Sequence, residues 1–168
     1  MKKMLMIVDP QVDFITGTLP VPGAVEAMDK LAEYVTEHGS EYACIVVTGD
    51  RHPADHCSFN TQGGPWPSHC VAGTEGAENW PSLSNALTQT GAIQLFKGND
   101  ATKEEYSIFA NAESKERLND IIIDEGIEHI DICGLAGDIC VAQSMADGRA
   151  IYGDDFFTLL PQFSPTIG

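Results

Sequence analysis

The chain is poor in positive charge. It carries 9 lysines and arginines against 25 aspartates and glutamates, a formal net charge of −16. That balance argues against nucleic acid or an anionic membrane as a general partner, because both repel a polyanion. Long apolar runs are also missing. The first one, "MLMIV" at residues 4–8, stops at Asp9. A secretory signal needs an apolar core of roughly 7–15 residues, and a membrane span about 18 or more. A cytoplasmic location with no membrane partner is the default expectation. No CxxC pair exists among Cys44, Cys57, Cys70, Cys133 and Cys140. An odd set without that spacing points to free thiols, ligands or catalysts rather than a disulfide framework. Internal repeats and low-complexity tracts are absent too, so residues 1–168 are expected to form a single domain.

What is present alternates. "MLMIV" (4–8), "YACIVVT" (42–48), "AIQLF" (92–96), "HIDICGLA" (129–136) and "FFTLL" (156–160) predict strands. "PGAVEAMDKLAEYVTEHG" predicts a helix between the first two, with Val25, Met28, Leu31, Ala32 and Val35 at helical spacing and Gly39 as its stop. "PSLSNALTQTG", with Pro81 in its first turn, predicts a shorter helix. "SKERLNDIIIDEG" predicts a third, with Ser114 as N-cap. A fourth runs from about Ile139 to Gly148. Residues 49–80 and 98–113 read as loops, and a loop as long as the first is usually functional. Strands apolar on both faces, alternating with helices, predict a three-layer α/β/α Rossmann-like domain with a mostly parallel central sheet. Sites in such sheets lie beyond the carboxyl ends of the strands.

Those ends carry reactive side chains. The first strand ends in Asp9, the second in "GDRH" with Asp50 and His52, the third in Lys97, and the fourth leads through "GLAGD" to Cys140. Each has a bland reading alone. An aspartate after a strand is often a turn residue, a lone lysine is usually solvated, and a lone cysteine is usually a small buried hydrophobe. Their shared placement is what argues for chemistry. A thiol becomes a nucleophile as thiolate, which a helix N-terminus and a nearby cation favour, and Lys97 would be that cation. Asp9 would accept the thiol proton and return it to a leaving group. The backbone N–H groups of Ala136 and Cys140 would form an oxyanion hole, with Gly134 and Gly137 permitting close approach.

The long loop adds a metal reading. "DRHPADH" supplies Asp50, His52 and His56, and "WPSHC" supplies His69 and Cys70. Two histidines and a carboxylate suit a catalytic metal with open positions. The competing reading is that histidines in a polar loop simply hydrogen-bond. Pro53 lies between His52 and His56, so their spacing is not that of a helical protease zinc motif.

In this order, these residues resemble the nicotinamidase branch of the isochorismatase-like cysteine hydrolases. The resemblance rests on "IVDPQVDFITGTLPVPGA", "VVTGDRHPADHCSF", "PWPSHCVAGTEGA", "FKG" and "GLAGDICV", from residue 6 to about 145. It implies the isochorismatase-like hydrolase fold and a catalytic triad of Asp9, Lys97 and Cys140. It implies a divalent metal, zinc first with iron or manganese as alternatives, on Asp50, His52 and His69. His56 is a further ligand in some members with a different spacing. It also implies a cis peptide between Leu135 and Ala136, and substrate contacts from Phe14, Trp66, Tyr106 and Leu135. Family members often read Thr-Asp-aromatic-Cys before the nucleophile, where this chain has Gly137, Asp138, Ile139 and Cys140. The stretch after Met145 fits the family pattern poorly, and the usual last helix is not expected.

The activity so implied is hydrolysis of nicotinamide to nicotinate and ammonia through a thioester, in NAD salvage, by a protein that in this family can be a homo-oligomer. Three alternatives stand beside it. One is another amide or ureido hydrolase of the superfamily, separable with a substrate panel. Another is a small-molecule binding module without catalysis, which would need no activated thiol. The last is a structural metal protein, which chelation would unfold.

Overall fold

The computed structural model describes residues 1–168. Five strands form one sheet: β1 (Lys3–Val8), β2 (Cys44–Asp50), β3 (Ile93–Lys97), β4 (His129–Gly134) and β5 (Phe157–Leu159). They lie in the order β3-β2-β1-β4-β5, and every pairing is parallel. Parallel neighbours need crossovers, and four helices supply them: α1 (Ala24–His38), α2 (Pro81–Leu87), α3 (Ala112–Asp124) and α4 (Cys140–Tyr152).

The alternation of side chains along β1 shows how the layers are divided. Leu5 and Ile7 enter a core with Met28, Leu31 and Val35 of α1 and Leu83 and Leu87 of α2. Met4, Met6 and Val8 enter a second core with Leu118 and Ile122 of α3 and Val141 of α4. A strand with period two, apolar at every position, is what a sheet covered on both faces requires. Each of the fully buried Met28 and Leu31 side chains contributes about 1.5–3 kcal/mol by leaving water. The observed architecture is the expected three-layer α/β/α arrangement.

Several boundaries differ from expectation. β2 starts at Cys44 and continues through Gly49 and Asp50, so the long loop begins later than the composition suggested. β3 includes Lys97. The N-cap of α3 is Asn111, whose side-chain oxygen accepts from the Ser114 N–H; Ser114 lies inside the helix. α4 runs on past Gly148 to Tyr152. Val25 shares the spacing of the α1 stripe but is 40% exposed, because Ala24, Ala27 and Met28 occupy the inward face. After α4 the chain forms only short 3-10 turns and the edge strand β5. No helix is long and apolar enough to cross a membrane.

The sequence order reverses direction at β1. β2 and β3 lie to one side of it, β4 and β5 to the other. The crevice between the carboxyl ends of β1 and β4 is therefore the switch point, where open α/β sheets bind ligands.

Candidate active site

Asp9 follows β1 directly and has φ 46°, a left-handed conformation uncommon for a residue with a side chain. Its N–H donates to the Thr48 carbonyl at 3.0 Å. Thr48 Oγ1 donates to Asp9 Oδ1 at 2.8 Å, and Lys97 Nζ to Oδ2 at 2.8 Å. Strand register places Lys97 opposite Asp50, and Nζ donates to Asp50 Oδ1 at 2.7 Å. Nζ also lies 3.8 Å from Cys140 Sγ. Cys140 is the first residue of α4. Asp9 and Lys97 are fully buried, and Asp50 and Cys140 nearly so. Four strand ends thus bring together the acid, lysine and cysteine singled out in the sequence.

One ammonium serving two carboxylates sets their protonation apart. Burial opposes the charge on all three groups. Lys97 nevertheless stays protonated, its pKa well above the ordinary value, because Asp50 and Asp9 outweigh burial. Asp50 is also penalised by burial, but the Lys97 ammonium above all holds it well below the usual carboxylate range. Asp9 is raised, since burial and the Asp50 charge outweigh Lys97. Cys140 departs from expectation. Lys97 does favour the thiolate, but burial and the two carboxylates win and push the thiol well up. The direction favours a resting thiol, with Asp9 among the groups that raise it.

The turn before Cys140 contains a cis Leu135–Ala136 peptide, as the resemblance implied. Ile139 and Val141 N–H both donate to the Ala136 carbonyl, and Gly137 N–H donates to the Pro165 carbonyl. The Ala136 and Cys140 N–H groups have no backbone acceptor, so both are free to meet an oxyanion.

Asp50, His52 and His69 offer ligand atoms all within 4.8 Å of one another, and all three residues are buried. His52 Nδ1 donates to the Gly98 carbonyl at 2.7 Å, and His69 Nδ1 to the Pro67 carbonyl at 2.7 Å. Those bonds fix the tautomers that leave both Nε2 lone pairs for a metal. His52 Nε2 is buried without a hydrogen-bond partner, an orphan that a cation would satisfy. The donor set suits a divalent ion of the zinc class. His56 is excluded from it. Its ring lies against His52 with centroids 3.9 Å apart, but Nδ1 meets Ser58 Oγ at 2.7 Å and Nε2 the Lys103 carbonyl at 2.8 Å. Cys70 is also excluded: it is buried, with Sγ directed at the Gly76 carbonyl. Gly98 has φ +70°, and a Cβ there would lie 2.4 Å from His52 Cε1, so only glycine lets this turn press on the ligand ring.

Phe14, Trp66 and Tyr106 line one cavity with Cys140, Ala136, Asp50 and His69. Trp66 Nε1 donates to Tyr106 Oη at 3.1 Å. Leu135 is fully buried in the α1-side core and is not part of that lining, so its contribution is the backbone of the turn. Sequence reasoning missed several supports. Buried Gln11 brackets Asp50, donating to its carbonyl at 2.8 Å and accepting from its N–H at 2.9 Å. Asp13 Oδ2 accepts from the Cys70 N–H at 2.8 Å, fixing the segment that carries His69. Glu105 accepts from the Gly98 N–H at 2.7 Å. Gln11 and Asp13 lie inside the quoted "DPQVDF", but nothing in their type separates a backbone clamp from a loop residue. Glu104 and Ile167 also line the cavity.

The isochorismatase domain model matches residues 3–151. The nicotinamidase/pyrazinamidase of Mycobacterium tuberculosis is 35% identical over 150 residues, covering 86% of this chain and 77% of that protein. The nicotinamidase of Escherichia coli is 30% identical over 166 residues, covering 86% and 75%. Among solved structures, the pyrazinamidase of Pyrococcus horikoshii in complex with zinc superposes with a TM-score of 0.85 at 34% identity, covering 100% of this chain and 88% of that one. PnC1 from L. infantum in complex with nicotinate gives 0.85 at 31%, covering 99% and 82%.

Proposed function

The chain belongs to the isochorismatase domain family, and from that premise we propose that it is a nicotinamidase-type cysteine hydrolase. Its reaction is cleavage of the carboxamide C–N bond of nicotinamide, giving nicotinate and ammonia. One observation carries this reading: the Lys97 ammonium bonds Asp9 and lies 3.8 Å from Cys140 Sγ, and Cys140 lines a cavity with Phe14, Trp66, Tyr106 and two of the three candidate metal ligands, Asp50 and His69. The relatives named nicotinamidase and the zinc and nicotinate complexes support it.

Phe14, Trp66 and Tyr106 offer flat faces to an azine ring. Asp50, His52 and His69 would hold a divalent ion, zinc or alternatively iron or manganese, which when bound supplies a Lewis acid for a ring nitrogen. The rest is the work of the chain. The Cys140 thiol passes its proton to Asp9 as sulfur attacks the amide carbon. A base with a raised pKa suits that task, because it takes up a proton more readily than an ordinary carboxylate and can give it up again. Lys97 keeps the emerging thiolate and Asp9 in place. The Ala136 and Cys140 N–H groups receive the oxyanion; one such donor is worth about 10²–10³ in rate elsewhere. Collapse expels the amine, which takes the proton from Asp9 and leaves as ammonia. A water then gives a proton to Asp9 and adds to the thioester carbon, and the second collapse returns that proton to Cys140 and frees nicotinate.

The experiment is ammonia release from nicotinamide, pyrazinamide and carbamoyl compounds by the purified protein and by Cys140→Ala. Expected are turnover of the two azine carboxamides and none by the variant, with the fold intact by circular dichroism. Near-normal turnover by Cys140→Ala refutes the mechanism, and exclusive turnover of carbamoyl compounds refutes the substrate.

A further inference from the structure

The turn that carries the nucleophile is also a mooring point. Gly137 N–H donates to the Pro165 carbonyl at 2.9 Å. The Asp138 carboxylate accepts from the Ile167 N–H at 3.0 Å and from the Gly168 N–H at 3.3 Å. Upstream, Phe163 is buried in the α1-side core, 5.1 Å ring to ring from Tyr34, and Ser164 Oγ donates to the Leu160 carbonyl at 2.8 Å. The segment Ser164–Gly168 is thus anchored at one end in the core and at the other on the residue two before Cys140. Its course explains Gly137: a Cβ there would lie 2.3 Å from the Ser164 carbonyl oxygen and 3.1 Å from its carbon. The glycine that departs from the family pattern is where this segment docks. The strap also reaches the chemistry, because Ile167 lines the cavity that holds Cys140, Trp66 and Tyr106, while 38% of its own surface remains exposed.

We propose that Ile167, held by the Asp138 carboxylate, is a specificity-determining wall of this cavity, limiting the substituents an aromatic carboxamide may carry and covering the bound ring from water. The inference rests on the amidase reading above. Ile167 touches no reacting atom and Asp138 acts through the strap, so one is a specificity residue and the other a positioning residue. Three carbons separate isoleucine from alanine, and one methylene in an apolar pocket already discriminates about 10–200-fold.

The test compares kcat and KM for nicotinamide and a methyl-substituted or ring-fused nicotinamide, in wild type, Ile167→Ala, Asp138→Ala and Asp138→Asn. Expected for Ile167→Ala is a rise of about tenfold or more in the kcat/KM ratio of bulky to parent substrate. Nicotinamide itself should show a raised KM and a kcat within about threefold, since ground-state and transition-state binding are lost alike. Asp138→Ala should shift the ratio the same way by freeing the strap. Asp138→Asn, whose amide oxygen still accepts an N–H, should return most of it. A ratio within threefold of wild type in Ile167→Ala, with the thermal midpoint unchanged, overturns the proposal. So does an Asp138→Ala variant that loses kcat alone, because the aspartate would then serve only the oxyanion turn. If wild type cleaves no carboxamide at all, the amidase reading falls and takes this inference with it, a result distinct from turnover without a specificity shift.

Discussion

Lys97→Met is the most demanding perturbation of this site. Methionine matches the apolar stem of the side chain, one atom shorter, and removes the charge, leaving Asp9 and Asp50 in a dry interior without their shared ammonium. Nζ makes two charge-assisted bonds, 2.8 Å to Asp9 and 2.7 Å to Asp50, and all three side chains are almost wholly buried. Removing one partner of a buried ion pair costs about 3–5 kcal/mol, because the charge left behind keeps its desolvation penalty. A chain of this size loses about 2–4 °C per kcal/mol, so the melting midpoint should fall by roughly 6–20 °C. Total stability is typically about 5–15 kcal/mol, so the variant should still fold in the cold.

Metal-free protein should show the larger deficit. With zinc bound, a second positive charge beside Asp50 takes over part of the lysine's work, and the gap should shrink. Adding Asp50→Asn to Lys97→Met should recover part of the loss in the metal-free protein, a coupling that a double-mutant cycle reads directly. The assay is urea unfolding of the four metal-free proteins, with calorimetry of the two zinc-loaded ones. If Lys97→Met loses less than about 1 kcal/mol without metal, or if Asp50→Asn makes it worse, one lysine is not balancing two buried carboxylates. The account of their divided protonation would then fail with it.

Other perturbations reach other parts of the site. Gly98→Ala should cost about 1–2 kcal/mol for its left-handed backbone alone; by displacing His52 it should also lower zinc stoichiometry, measured by atomic emission after dialysis. His56→Gln should retain zinc, because both ring nitrogens are already spent within the protein. His52→Gln and His69→Gln should each lose it, and equal loss in all three would refute the ligand assignment. Asp29, which accepts from Trp80 Nε1 and Ser82 Oγ, has its pKa lowered chiefly by those bonds, Ser82 first. A depressed folded pKa stabilises above the unfolded value and is lost as pH falls through the folded one. The stability gap between wild type and Asp29→Ala should therefore be present at pH 7 and close toward pH 2 in urea titrations.

How much of this was legible depended on the range of the interaction. Strands buried on both faces are apolar throughout, so Asp9, Asp50, Lys97 and Cys140 stand out as the first polar or reactive residues at their ends. Topology alone then brings them together. Local rules were weaker at boundaries. Ser114 looked like a cap, yet Asn111 wins because its side chain reaches the Ser114 N–H. Val25 fits a helical stripe by spacing and fails because two alanines and Met28 already fill the inward face. The protonation of Cys140 was not legible at all. Lys97 argues for thiolate, and only full burial beside two carboxylates reverses the outcome. Gln11, Asp13 and Gly137 were hidden for a related reason, since each acts on backbone far away in sequence.

The same distribution of hydrogen bonds explains why an aspartate rather than a histidine is the base proposed here. Three histidines lie near this edge of the sheet, and imidazole is the commoner proton carrier. His56 has no free nitrogen. His52 and His69 spend Nδ1 on carbonyls and are grouped with Asp50 as candidate metal ligands. Asp50 is locked in its ion pair and held far below the carboxylate range. Asp9 alone combines a shared partner with the thiol in Lys97, a raised pKa and a fixed orientation, set by Thr48 on one oxygen and Lys97 on the other. Parallel register creates that asymmetry. It sets Lys97 directly opposite Asp50, while Asp9 on the next strand reaches the same ammonium from one residue beyond the end of β1. One ammonium bonded to both carboxylates leaves Asp50 depressed and Asp9 raised, so Asp9 is the one able to take a proton.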